Sequence, residues 1–254
     1  MYGLMEGCGE GVNIVLKPKK VTLFFAIIVT CLTLAHIAGK FSALYLGYDH
    51  VLGLVPLFDL EREENIPTLY SSIAILFCSA LLAIIAFAKK KNGELNYRYW
   101  LGLAVIFLFL SIDESVSIHE RLRAPVRSLL NPPELLYAAW VIPYGIALII
   151  FLFVYLKFII NLPAKTRLLF ILAGLIYVMG ALGLEIIGGP LYKVHRALQE
   201  SDSKKAYIPF VVVSGFEELL EMVGIVVFMY ALMSYIDSDL KGLCLRITSS
   251  SENS

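Results

Sequence analysis

IPFVVVSGFEELLEMVGIVVFMYALMSYI, residues 208–236, is too long and too apolar for the buried helix of a soluble domain, yet it carries Glu217, Glu218 and Glu221. At 1.5 Å of rise per residue, about 18 or more apolar residues reach across the hydrocarbon core of a bilayer. Five further runs meet that condition: 21–38, 66–88, 100–118, 135–160 and 168–187, each set off by charges, prolines or glycines. Lipid offers no partner for backbone N–H and C=O groups, so every run must close its own hydrogen bonds as a helix. The expected fold is all-α, a polytopic integral membrane bundle of six transmembrane helices with both termini cytoplasmic.

Composition agrees with this reading. The 254 residues are 59% hydrophobic and 17% charged, against about 45–50% and about 25% in soluble proteins. Lysine and arginine total 21, as do aspartate and glutamate, so no basic field marks a nucleic-acid partner. Fifteen Phe and fourteen Tyr exclude a disordered chain. The four cysteines, Cys8, Cys31, Cys78 and Cys244, form no CxxC or Cys/His pattern and support neither a zinc knuckle nor a disulfide framework.

Residues 1–20 are expected to form a cytoplasmic tail, 21–237 one transmembrane domain, and 238–254 a disordered cytoplasmic tail. Lys17, Lys19 and Lys20 give the first run the look of a signal peptide. It is longer than the usual apolar core of one, and Gly39-Lys40-Phe41 makes a poor cleavage site, so a retained helix is expected. With that tail inside, cytoplasmic segments hold twelve of the 21 basic residues, including the Lys89–Lys91 cluster. The first outer loop, 39–65, is apolar at first, with Gly47, Gly53 and Pro56 breaking it, and ends in the acidic stretch Asp59, Glu61, Glu63 and Glu64. Such a charge run is ordinarily a solvated lip. Pro67 and the Pro132–Pro133 pair open the second and fourth helices, and Gly188-Gly189-Pro190 closes the fifth.

Seven of the 21 acids fall within or at the edge of the runs: Asp113, Glu114, Glu120, Glu185, Glu217, Glu218 and Glu221. A charged residue at the bilayer centre costs about 2.5–3.5 kcal/mol on insertion scales, so something must compensate so many. At about 100° per residue, Asp113, Ser117 and Glu120 form one polar stripe at i, i+4 and i+7, with Val116 on the same face and Glu114 and His119 on opposite flanks. Ser214, Glu217, Glu218 and Glu221 share an arc of about 100° on the sixth. The topology puts these acids, Glu185 and the nearby His36 and His195 at one depth near the outer face.

Three expectations remain open. In the leading one, Asp113, His119, Glu120, Glu185, His195, Glu217, Glu218 and Glu221 ligate one or two divalent metals, Fe or Mn before Zn, and the pocket acts on a lipid or other small hydrophobic substrate. Asp113, Glu114 and Glu185 are then the candidate catalytic acids and bases. The Glu-x-x-His motif of di-metal bundles is absent, which counts against that arrangement. In the second, the same acids relay protons or ions in a coupled transporter. In the third they are protonated polar glue in a non-catalytic subunit. Glu120 with Arg123 also reads as an ordinary helix-end ion pair, Glu134 as an acid at a helix N-terminus, and His36 and His50 as interfacial bystanders.

The strings Phe58-Asp-Leu-Glu-Arg-Glu63-Glu64-Asn65-Ile-Pro67-Thr68-Leu-Tyr70-Ser71-Ser72, Ser111-Ile-Asp113-Glu114 with His119-Glu120, and Glu217-Glu218-x-x-Glu221-Met222 together resemble an uncharacterised family of bacterial polytopic membrane proteins. The resemblance runs from the first outer loop through the sixth helix. It implies a bacterial inner-membrane setting and no assigned activity. If the first string belongs with the other two, Glu63, Glu64 and Asn65 cap the pocket from its outer mouth.

Overall fold

The computed structural model describes residues 17–133, 137–198 and 204–240. Among them there is no strand. The helices are α1 (Pro18–Phe41), α2 (Leu54–Leu57), α3 (Ile66–Lys91), α4 (Tyr97–Val116), α5 (Ile118–Leu130), α6 (Val141–Ile160), α7 (Ala164–Val178), α8 (Glu185–Leu198) and α9 (Lys204–Asp239). Six spans are long and apolar enough to cross a membrane: Pro18–Leu46, Ile66–Lys91, Tyr97–Val116, Val141–Ile160, Ala164–Val194 and Ile208–Asp239. The protein is an all-helical integral membrane protein. Glu134, Cys8, Cys244 and the C-terminal tail lie outside the described residues.

The sequence explains where α3 starts. Asn65 is its N-cap: Oδ1 accepts the Thr68 N–H at 3.2 Å, while Nδ2 donates to the carbonyls of Asp59 at 2.6 Å and Arg62 at 2.8 Å. One side chain therefore begins the helix and folds the acidic turn ahead of it. Pro67 falls in the first turn, where its missing N–H costs nothing.

Three boundaries differ from expectation. The third apolar run does not continue to 118: the chain breaks at Ser117, which adopts φ 55°, ψ 48°, and α5 departs from there. The fifth does not close at Gly188-Gly189-Pro190. A π-helical segment, Met179–Leu184, widens the backbone, and α8 then continues through Pro190 to Leu198. Neighbouring helices let membrane helices carry prolines in this way. Gly189 has the further task of admitting the side chain of Tyr137, whose Cβ would lie 2.9 Å from any Cβ added there. The fourth span begins at Val141. The first outer segment is partly helical, with a π turn at Ser42–Leu46 and a 3-10 turn at Val51–Gly53 before α2.

The core lies where α3, α4, α7 and α9 meet. Ala74, Cys78, Leu82, Ile85, Trp100, Met222, Met229 and Leu232 are fully enclosed there. Trp100 sits among Phe158, Phe170 and Tyr235, and Phe107 stacks on Phe228 at 4.6 Å. Helix α7 and the π-helical segment that follows it approach α9 closely because of glycine. A Cβ on Gly224 would lie 2.9 Å from Tyr177 Cβ, and one on Gly180 2.8 Å from the Glu217 carbonyl. Small residues at crossings are how helices pack when lipid supplies no hydrophobic drive between them. Large apolar side chains, such as Phe153 and Leu168, cover the perimeter.

Candidate functional site

Polar groups gather at the end of the bundle that carries the 59–65 turn, in two adjoining constellations. The first fastens that turn to α1. Lys40, 8% exposed, places Nζ 3.0 Å from each carboxylate oxygen of Asp59 and 2.7 Å from Oε2 of Glu61. His36 accepts the Leu60 N–H on Nδ1 at 3.1 Å, with Asp59 Oδ1 3.4 Å from the same nitrogen. His36, Asp59 and Glu61 form a buried group whose ligand atoms lie within 4.8 Å of one another. Burial would raise the Asp59 carboxyl, but the adjoining His36 ring and the Lys40 ammonium outweigh it and hold the group below the ordinary carboxylate range. The acidic stretch is therefore not a solvated lip at Asp59, and His36 is no bystander. A lysine two residues past the first apolar run was the signal; its pairing depends on chain reversal and cannot be seen in spacing.

The second constellation begins at the Ser117 break. The turn carries His119 back over the end of α4, so its N–H donates to Asp113 Oδ1 at 2.8 Å and its Nδ1 lies 3.3 Å from that oxygen. The other ring nitrogen, Nε2, lies 3.2 Å from Glu63 Oε1. Tyr144 donates to the second Asp113 oxygen at 2.7 Å. Trp140 packs on the imidazole, centroids 4.8 Å apart. Burial would lower the His119 pKa, but Asp113 and Glu63 dominate and raise it to about 10. His119 is thus an imidazolium whose two nitrogens both face carboxylates.

The remaining acids converge behind it. Glu185 is within hydrogen-bonding reach of Glu217 and Trp140, and Arg123 donates to Glu185 Oε1 at 3.2 Å. Glu221 feels the charge of Glu218, and both feel those of Glu114 and Glu185. Tyr177, from α7, lies in the same field. Gly180 allows this: a Cβ there would meet Glu221 Cγ at 3.1 Å.

Of the residues expected to form the site, Asp113, Glu114, His119, Glu185, Glu217, Glu218 and Glu221 do come together. The expected stripe of Asp113, Ser117 and Glu120 does not exist, because the helix on which it was counted ends at Val116. Glu120 instead stands exposed on α5, 3.5 Å from Arg123, as in a helix-end ion pair. His119 does not flank the stripe opposite Glu114; the break returns it to α4. The His195 side chain lies outside the described residues. Glu63, Tyr144, Trp140 and Arg123 join the site from elements that spacing on single helices cannot connect.

Residues 22–236 match the family described as Domain of unknown function (DUF8692). The chain belongs to that family. The match reaches from within the first membrane span to within the sixth and includes both polar constellations, and no curated protein or solved structure matches the chain. Within the matched residues, this chain carries a buried His/Asp/Glu group and a carboxyl cluster at one end of a membrane bundle.

Proposed function

We propose that the carboxyl cluster is the coupling site of a proton- or cation-coupled membrane transporter, with Glu63, His119 and Asp113 as its connection to the extracytoplasmic face. One observation carries this reading: α4, α8 and α9 bring Asp113, Glu114, Glu185, Glu217, Glu218 and Glu221 into one field, and among the described residues the cations that reach it are His119 and Arg123. So many carboxyls at low dielectric must be neutralised by protons or by a bound cation. Exchanging one for the other is the elementary act of coupling.

The test is proton release. Purified protein in weakly buffered detergent is given Na+, Mg2+ or Mn2+ in turn while pH is recorded. Binding of a coupling cation is expected to expel up to about one proton per chain, and Glu218→Gln with Glu221→Gln to abolish it. Absence of any release, with the fold intact, overturns the reading.

A second reading keeps the divalent-metal enzyme acting on a lipid or membrane-soluble substrate. The His36, Asp59 and Glu61 group favours it, because its donors already lie within 4.8 Å of one another. Near-stoichiometric Fe, Mn or Zn in purified protein, lost on His36→Gln, is the result it requires.

A further inference from the structure

A cavity of about 320 Å³ opens between the acidic turn and the start of α5, lined by Glu63, Glu64, Ser117, Glu120 and Arg121. That volume suits a small molecule or a lipid headgroup. We propose that it binds a zwitterion, a primary ammonium and an anionic group on one small molecule, as the substrate site of the transporter. The inference rests on the coupling reading for that role, and only for that.

The charges argue for a zwitterion over a simple cation. Three carboxylates and the Arg121 guanidinium line the cavity, so both signs are offered within it; Glu63 faces His119, which Asp113 shares, and Glu120 faces Arg123, which Glu185 shares. Glu64 and Glu120 offer acceptors to an ammonium; Arg121 offers a planar fork to a phosphate or carboxylate. Ser117 supplies the independent sign of a missing partner. It is 8% exposed, and its buried hydroxyl has no hydrogen-bond partner among the described residues. A buried hydroxyl left unmatched costs about 1–3 kcal/mol, which a ligand acceptor would recover. Two wall residues, Glu64 at φ 60° and Ser117 at φ 55°, also hold left-handed backbone without being glycine. Such strain persists where the surroundings impose it.

Phosphoethanolamine is the probe, with ethanolamine and inorganic phosphate as its halves, read by calorimetry and by fluorescence of Trp140. The zwitterion is expected to bind saturably and at least about tenfold tighter than either half, because two charge-assisted contacts act together. Glu64→Gln and Arg121→Gln should each weaken it roughly tenfold. Ser117→Gly, which takes a positive φ without strain, should weaken it about fivefold, the worth of one hydrogen bond. Nanodiscs of phosphatidylethanolamine against phosphatidylglycerol separate the sources: binding of the soluble probe assigns a free solute, and a response confined to phosphatidylethanolamine discs assigns a lipid headgroup. Ethanolamine binding as tightly as the zwitterion, variants that change nothing, or silence from every probe overturns the inference. The coupling reading is judged separately. Cation-triggered proton release that survives in the Glu64, Arg121 and Ser117 variants leaves coupling standing when the pocket fails. Zwitterion binding without such release leaves the pocket standing and removes the coupling.

Discussion

Asp113 Oδ1 accepts the backbone N–H of His119 at 2.8 Å, six residues along the chain and on the far side of a helix break. Ser117, the residue at the N-cap position of α5, makes no side-chain cap, so Asp113 performs that task from the preceding helix. The same oxygen faces the imidazolium, and Tyr144 holds the other oxygen. One carboxylate thus fixes the angle between α4 and α5 and the charge of His119.

Removing it should be costly. Asp113→Ala deletes the cap and leaves a buried cation without one partner, a loss on the order of 3 kcal/mol or more. Asp113→Asn keeps an acceptor for the N–H and loses only the charge, so it should fall between that variant and the native protein. Thermal unfolding in detergent orders the three. Equal midpoints for Asn and Ala would remove the charge from the account.

The His119 proton makes stability depend on pH in a definite direction. Its pKa rises from 6.5 to about 10 on folding, so between those values the folded chain keeps a proton that the unfolded chain has released. Its contribution is complete below 6.5 and fades as pH climbs through about 10. Asp59 runs the other way: its lowered pKa stabilises the fold above 3.8, and that contribution is lost as pH falls through the folded value. The unfolding midpoint should therefore decline over the alkaline window, and His119→Gln should flatten the decline. An unchanged slope in that variant would assign it elsewhere.

How much of this was legible beforehand follows from which forces act locally. The spans were legible because a bilayer demands continuous apolar length, and the acids within them stood out against it. Glu185, Glu217, Glu218 and Glu221 could be placed at one depth from topology alone. The stripe through Ser117 could not be trusted, because a serine forced to φ 55° has no signature in composition. Glu63 meeting His119, and Lys40 meeting Asp59, are contacts between segments whose closeness depends on how a loop folds over the bundle end. The continuation of α8 through Pro190 was hidden for a related reason: neighbouring helices, not the local sequence, make a proline tolerable there.

Gly180 and Gly224 test whether the approach of α7 and its π-helical continuation to α9 builds the carboxyl cluster. A methyl on Gly180 would press on the Glu217 carbonyl at 2.8 Å, and one on Gly224 on the Tyr177 backbone nitrogen at 2.9 Å. Backbone cannot yield as a flexible side chain can, so each Gly→Ala change should cost about 1–3 kcal/mol. The two should differ in function. Gly180→Ala displaces the backbone that carries Glu217 and should impair cation-triggered proton release beyond its effect on stability. Gly224→Ala, one turn further from the acids, should lower the unfolding midpoint and leave release in the folded fraction near the native level.

Lys40 decides whether the His36, Asp59 and Glu61 group is a metal site or an ion-pair lock. Its ammonium stands 3.0 Å from Asp59 and 2.7 Å from Glu61, where a divalent ion bridging those carboxylates would have to sit. Lys40→Met keeps the stem of the side chain and removes the charge, leaving two buried carboxylates facing each other. Breaking a buried pair from one side costs about 3–5 kcal/mol. A divalent ion could then take the vacated charge: at a hundredfold excess over its Kd, Mn2+ or Zn2+ would restore about 2.7 kcal/mol. The expected pattern is a variant whose unfolding midpoint rises steeply with Mn2+ while the native protein responds little. A native protein that is stabilised by Mn2+ as strongly as the variant would mean that the metal binds without displacing Lys40, and the ion-pair lock would no longer describe this end of the bundle.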